Sequence, residues 1–289
     1  MLLLRSSASA PSLAARRLSS RLAPAHPCLH AVRAGEARGG GGGCGGGSGR
    51  VSGGHAAGPQ AVRGSPHRPA QVATRAAAAA GGGRGMEVEV KLRLGGKDDY
   101  EKLAAALAAG AGPVYQQENY FFDSPGGELN AKRVVVRVRL YNKDQKATLT
   151  VKGEQVLVDG IARAAEAEEP LDPAAGRSFL SDPGALLAHD SDIVRRLASQ
   201  YGLQSLVCLG GFDNLRREFA WAPPGGGGEF TLELDATAYP WGTLYELECE
   251  TDQPEALREQ LEALLASHGV AYSYSKTSKF ANFINRTLV

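Results

Sequence analysis

The sequence predicts an α+β protein built on a closed, eight-stranded antiparallel β-barrel with a charged lumen and helices packed outside. Three observations lead there. Residues 86–94 alternate charged and apolar side chains for eight positions, and alternate residues of a strand share a face. The same design returns at 134–141, 230–235 and 244–250. Amphipathic stretches lie between and after these segments, available to cover an apolar exterior. A half-solvated sheet explains one such strand; repetition favours closure around the charged face.

In chain order, residues 86–94 form the first predicted strand. Residues 97–109 read as a helix, with Tyr100, Leu103 and Leu107 on one face and Gly110 as the stop. Residues 114–122 read as a strand ending in the turn cluster Asp123-Ser124-Pro125-Gly126-Gly127. Strands at 134–141 and 147–151 form a hairpin around Asn142-Lys143-Asp144. Residues 160–169 read as a further strand and 185–201 as one helix with Ile193, Val194, Leu197 and Tyr201 inward. Strands are then expected at 207–209, 215–221, 230–235 and 244–250. An amphipathic helix at 255–267 stops at Gly269, and a last helical stretch runs around 279–284.

Charge divides the chain at Met86. Residues 1–85 contain 11 Arg, no Lys and one acid (Glu36), for +10; residues 86–289 carry −9, and the total of +1 hides the asymmetry. The first part is an Arg/Gly/Ala-rich leader that cannot bury enough apolar surface to fold. Two readings of it stand. As a transit peptide it would send the chain to the chloroplast or mitochondrion; if translation begins at Met86, the protein is cytoplasmic. Residues 86–289 suit one domain. Their acidity makes them a poor nucleic-acid binder, no apolar run is long enough to span a membrane, and no protein partner can be inferred. Cys208 and Cys249 lack metal-type spacing and read as buried thiols.

The chemistry lies in the alternating charges. Acids two apart occur as Glu87/Glu89, Glu233/Asp235 and Glu246/Glu248/Glu250, so each set shares a face. Clustered carboxylates suit hard cations such as Mg²⁺ and Mn²⁺, which often keep substrate phosphates among their ligands. Any one pair taken alone reads more simply as a solvated strand face. Lys91 and Arg93 extend the first charged face. Arg137 and Arg139 interrupt an otherwise apolar strand, and Arg suits bidentate phosphate contacts. Lys152, Arg216 and Lys279 are further candidates, and Arg163 and Arg217 weaker ones. Asn119-Tyr120-Phe121-Phe122-Asp123 reads as core strand plus turn. There is no P-loop, no G-x-S-x-G and no His pair at metal spacing.

Glu87-x-Glu89-x-Lys91, then Tyr-Phe-Phe-Asp-Ser-Pro at 120–125, Val-Arg-Val-Arg-Leu at 136–140, Leu-Glu-Leu-Asp at 232–235, Tyr-Glu-Leu-Glu at 245–248 and Lys279-Phe280 together resemble the CYTH, or triphosphate tunnel metalloenzyme, family across 86–289. The likeness is greatest to its plant inorganic tripolyphosphatase-like member. The resemblance implies a metal-dependent triphosphatase acting on a small-molecule triphosphate, with two Mg²⁺ or Mn²⁺ sites. It implies Glu87, Glu89, Lys91, Glu246 and Glu248 as catalytic residues. Lys91, Arg137, Arg139, Lys152, Arg216 and Lys279 would bind substrate, and Glu87, Glu89, Glu233, Glu246 and Glu248 would hold metal. Nucleotide or thiamine triphosphatase or cyclase chemistry, and a non-catalytic polyphosphate-binding module, are the alternatives. One departure stands out. After Arg163 the family tends to place acids at alternating positions, but Ala165 and Ala167 occupy that register and Glu166 and Glu168 the other. Either the strand register differs or an acidic contribution is missing.

Overall fold

The computed structural model describes residues 85–289. Eight strands close a ring: β1 (Gly85–Leu94), β9 (Gly242–Glu250), β8 (Phe230–Tyr239), β7 (Val207–Trp221), β2 (Ala111–Asp123), β3 (Val135–Tyr141), β4 (Lys146–Lys152) and β6 (Ile161–Leu171), which returns to β1. Every pairing is antiparallel. Two short strands, β5 (Val156–Val158) on β6 and β10 (Tyr272–Tyr274) on β1, complete the sheet. The ring therefore has the predicted eight strands and the predicted closure.

Period-two alternation settles which side of each strand faces in. Val90, Leu92 and Leu94 point outward from β1, and Leu232, Leu234 and Leu247 from β8 and β9; all are buried under α1 (Lys97–Ala106) and α6 (Pro254–Ser267), with Leu103, Leu257, Leu261 and Leu265 from the helices. Across the barrel, Val136, Val138, Leu140 and Leu149 pack with Phe179, Leu186, Val194 and Leu197 of a second helical layer. That layer comprises α3 (Pro173–Ser178), α4 (Pro183–Leu187) and α5 (Asp192–Tyr201), and the single turn α2 (Glu128–Ala131) adds Leu129 to the same cluster. Aromatic residues Phe121, Phe212 and Tyr239 gather at one end of the lumen, against Phe280 and Phe283 of α7 (Lys279–Asn285). Among the described residues, no helix is long and apolar enough to cross a membrane.

The structure departs from the sequence reading in several places. The helix expected at 185–201 is two helices. Ser191 adopts an extended conformation and its hydroxyl accepts from the Val194 N–H, so it caps a new helix rather than continuing the old one. The helix expected at 97–109 stops at Ala106, and a 3₁₀ turn follows over Ala108–Gly110. α3 was not anticipated; Asp172 caps it from outside, with Pro173 in its first turn. The strands expected at 207–209 and 215–221 are one continuous strand. The strand carries a bulge next to Gly210-Gly211: Phe121 pairs with Gly210 and Phe122 with Cys208, leaving Leu209 as an extra residue on β7. A Cβ on Gly211 would stand 1.7 Å from the Asn119 carbonyl oxygen, so only glycine permits that strand contact. Cys249 is buried, but Cys208 is only half-buried. The leader at 1–85, and the localisation read from it, lie outside the described residues except for Gly85.

Candidate active site

The lumen holds a cavity of about 1030 Å³. Glu87, Glu89 and Lys91 of β1, Arg137 and Arg139 of β3, and Lys152 of β4 line it. Arg216 of β7, Glu233 of β8, Glu248 of β9 and Lys279 at the start of α7 complete the wall. Six strands and one helix thus bring together residues spread over nearly 200 positions. Glu246 and Asp235 stand one layer down, 1% and 0% exposed. Glu246 accepts from Ser275 Oγ at 2.7 Å and Arg93 Nη2 at 3.1 Å. Arg163 and Arg217 face outward and bind Glu255 of α6 and Glu101 of α1.

The acidic wall is neutralised internally. Lys91 Nζ lies 2.5 Å from Glu248 and 3.2 Å from Glu89. Lys279 Nζ reaches Asp235 at 2.7 Å and also contacts Glu248. Arg216 spans Asp235, Glu248 and Glu233. Lys152 bridges Glu87 and Glu166 at 2.6 and 2.8 Å. Burial disfavours the charged form of Lys91, yet Glu248 and Glu89 hold its ammonium well above the usual lysine range. Burial likewise pushes Glu248 up, but Lys279, Lys91 and Arg216 hold it well below the carboxylate range.

The opposite wall differs. Arg137 donates to Thr150 Oγ1 at 3.1 Å, and its contacts to Glu168 and Glu166 are long, 3.8 and 3.9 Å. Its buried Nε has no hydrogen-bond partner. Arg139 is held by neutral groups, Asn119 Oδ1 at 2.8 Å and the Tyr141 hydroxyl at 3.4 Å. Burial and the neighbouring Arg139 both pull the Arg137 pKa down, against the opposing pull of Glu166 and Glu168. Arg139 faces the cavity on neutral partners, and Arg137 faces it with Glu166 and Glu168 only at the long edge of ion pairing.

Sequence reasoning missed Glu166, Glu168, Tyr115 and Tyr141. Lys152 pairs with Glu166 and Thr150 with Glu168 across β4–β6, so both acids share the lumen face while Ala165 and Ala167 lie on the other. The register of β6, not a missing acid, resolves the departure. Arg163 misled because it points outward. Tyr115 and Tyr141 meet edge-to-face on the cavity wall with centroids 5.9 Å apart; they lie on different strands, so no local pattern joins them.

The donor set is made of carboxylate oxygens, the ligands hard divalent cations prefer. Burial and the neighbours Glu87, Glu89 and Glu166 raise the Glu250 carboxyl, a crowding that a divalent cation would relieve. The buried Glu246 Oε2 makes no hydrogen bond, with Lys279 Nζ at 3.4 Å. The residues therefore fit such an ion in chemistry. Among the described residues no three acids, histidines or cysteines are arranged as a ready cage, because lysine and arginine engage them.

A closed antiparallel barrel whose polar lumen pairs an acidic wall with an arginine wall defines a tunnel-type barrel protein. Residues 85–283 match the CYTH domain family. The chain is 37% identical to the Hippeastrum protein HpAC1, assigned as an adenylyl cyclase and described as having a dominant triphosphatase activity, covering 70% of this chain and 97% of that one with a TM-score of 0.66. It is 20% identical to a Bacillus halodurans protein assigned as an adenylate cyclase, covering 69% and 98%, with a TM-score of 0.51. No curated protein sequence matches it. The chain belongs to the CYTH domain family.

Proposed function

We propose that the protein is a divalent-metal-dependent phosphohydrolase that cleaves inorganic tripolyphosphate to pyrophosphate and phosphate within its tunnel. The observation that carries this reading is the Arg137/Arg139 pair. Two half-buried guanidiniums, Arg139 on neutral partners and Arg137 with its carboxylate neighbours no closer than 3.8 Å, form an anion receptor, and they face an acidic wall across a cavity of about 1030 Å³. The triphosphatase activity described for HpAC1 supports the same class of substrate.

Arg137, Arg139 and Lys152 would bind one part of the phosphate chain, and Lys91, Arg216 and Lys279 the rest. Water adds to a terminal phosphorus as the bridging P–O bond breaks, and the bond's electrons leave with the pyrophosphate oxygen. The arginines and lysines neutralise charge growing there. Glu89 and Glu248 orient the attacking water. Glu87, Glu89, Glu233 and Glu248 would hold Mg²⁺ or Mn²⁺, with Glu246 adding charge from one layer down. Bound metal supplies Lewis-acid neutralisation of phosphate oxygens.

A second reading, an organic triphosphate, is favoured by Tyr115 and Tyr141 on the cavity wall and by the cyclase assignment of HpAC1. Turnover of tripolyphosphate, ATP and thiamine triphosphate, each with Mg²⁺, Mn²⁺ or EDTA, tests both. Fast, EDTA-sensitive phosphate release from tripolyphosphate is the expected result. Binding without release identifies a polyphosphate-binding module instead.

A further inference from the structure

Between the charged walls, Gln117 and Asn214 reach the cavity from a neutral cluster, backed by the buried Thr237, that the hydrolytic reading does not use. Asn214 of β7 donates through Nδ2 to Gln117 Oε1 and to Asp235 Oδ1, each at 2.9 Å. Its Oδ1 accepts from Thr237 Oγ1 at 2.8 Å. All four side chains belong to residues at most 4% exposed. The arrangement permits one orientation of the amide. With Thr237 donating to the oxygen, the NH₂ group must face the Asp235 carboxylate; the flipped amide would set oxygen against oxygen.

Asp235 then has every lone pair directed. It takes the Asn214 amide and Arg216 Nε on Oδ1, and Arg216 Nη2 and Lys279 Nζ on Oδ2, at 2.6 to 2.9 Å. The geometry points to a positioning role: Thr237 orients Asn214, Asn214 fixes Asp235, and Asp235 presents Arg216 and Lys279 to the cavity. This inference rests on the triphosphate reading for its purpose, because those two cations are the proposed phosphate ligands. Thr237 is fully buried and does not line the cavity, so it acts on a ligand only through Asn214.

Thr237→Val keeps shape and removes the hydroxyl; Thr237→Ser keeps the hydroxyl; Asn214→Leu removes the amide. Two readouts are taken on the full-length chain. One is acetylation of Lys279 by acetic anhydride, followed by mass spectrometry against the exposed Lys97. The other is KM and kcat for tripolyphosphate. Loss of one buried hydrogen bond should speed Lys279 labelling and raise KM about fivefold each in Thr237→Val, with kcat within about twofold. Asn214→Leu should match it, and Thr237→Ser should match wild type. Labelling of Lys279 that is unchanged in both Thr237→Val and Asn214→Leu overturns the inference, as does a Thr237→Ser variant that behaves like Thr237→Val. A wild type inert toward tripolyphosphate, with the labelling difference intact, would overturn the substrate reading and leave the positioning chain standing.

Discussion

Glu233 and Glu248 stand opposite one another on β8 and β9 yet titrate in opposite directions. Burial drives Glu233 up to about 8; Arg216 opposes this, and Asp235, Glu248 and Glu250 add to it. Glu248 has Lys279, Lys91 and Arg216 around it and is held low against its own burial. The signs follow by linkage. In metal-free buffer, Glu233 keeps its proton in the fold after the unfolded chain, with a pKa of roughly 4.3, has released it. Its contribution therefore falls as pH rises toward 8. Glu248 does the reverse: its stabilisation is present above the unfolded pKa and is lost as pH falls through the depressed folded value. Thermal melts in EDTA should accordingly show Glu233→Gln gaining on wild type between pH 5 and 8 and levelling off above. Parallel melting curves for the two proteins across that range would refute the assignment. Activity gives a separate check on the same wall. Glu89→Gln and Glu248→Gln should each lower phosphate release by about 10²-fold or more, the scale for removing a group that acts on the reacting centre, with circular dichroism unchanged. Activity within a few-fold of wild type in both would sink their proposed roles.

At the scale of elements, one-residue register decides what a side chain can do. Glu166 faces the lumen because β6 pairs Lys152 with Glu166 and Val151 with Ala167. Moving that acid by one position, as Glu166→Ala with Ala165→Glu, puts it outside the barrel. The double variant should lose as much kcat/KM as Glu166→Ala alone, about tenfold as Lys152 keeps Glu87 but loses its second anchor; recovery of activity by the second change would mean the register is wrong. Helix α6 offers a packing test. Leu261 is fully buried in the cluster that joins α6 to the outer face of β1, so Leu261→Ala should cost about 2–5 kcal/mol in chemical denaturation while leaving KM unchanged. These elements also mark how far the sequence could be read. β1, β3, β8 and β9 were legible because a lumen that alternates charge with apolar residues writes a period of two. The turn of 3₁₀ after α1, the Ser191 cap and the continuity of β7 through Gly210-Gly211 were not, since each depends on a local conformation or a close strand contact. Glu166 and Glu168 were visible as alternating acids, but only pairing with β4 shows which face they take. Asn214 and Thr237 carry no charge signal at all.

For the whole molecule, net charge and local field disagree. Residues 86–289 sum to −9, which alone would repel a polyanion. Within the lumen the lysines and arginines are aimed by the barrel at one cavity, and low-dielectric walls concentrate their field. A ligand held there must stabilise the closed ring, because Lys91 on β1 and Lys152 on β4 come to one cavity only when β6 closes onto β1. Tripolyphosphate at about 100 times its Kd adds about 2.7 kcal/mol to folding stability, or roughly 5 to 10 °C in Tm for a domain this size. The shift should vanish in Arg137→Ala/Arg139→Ala. It should also be the same for the full chain and for residues 86–289, since every lumen residue named above lies in that range. A shift confined to the full chain would assign the basic residues before Met86 a part in holding phosphate, and the arginine wall would no longer suffice as the receptor.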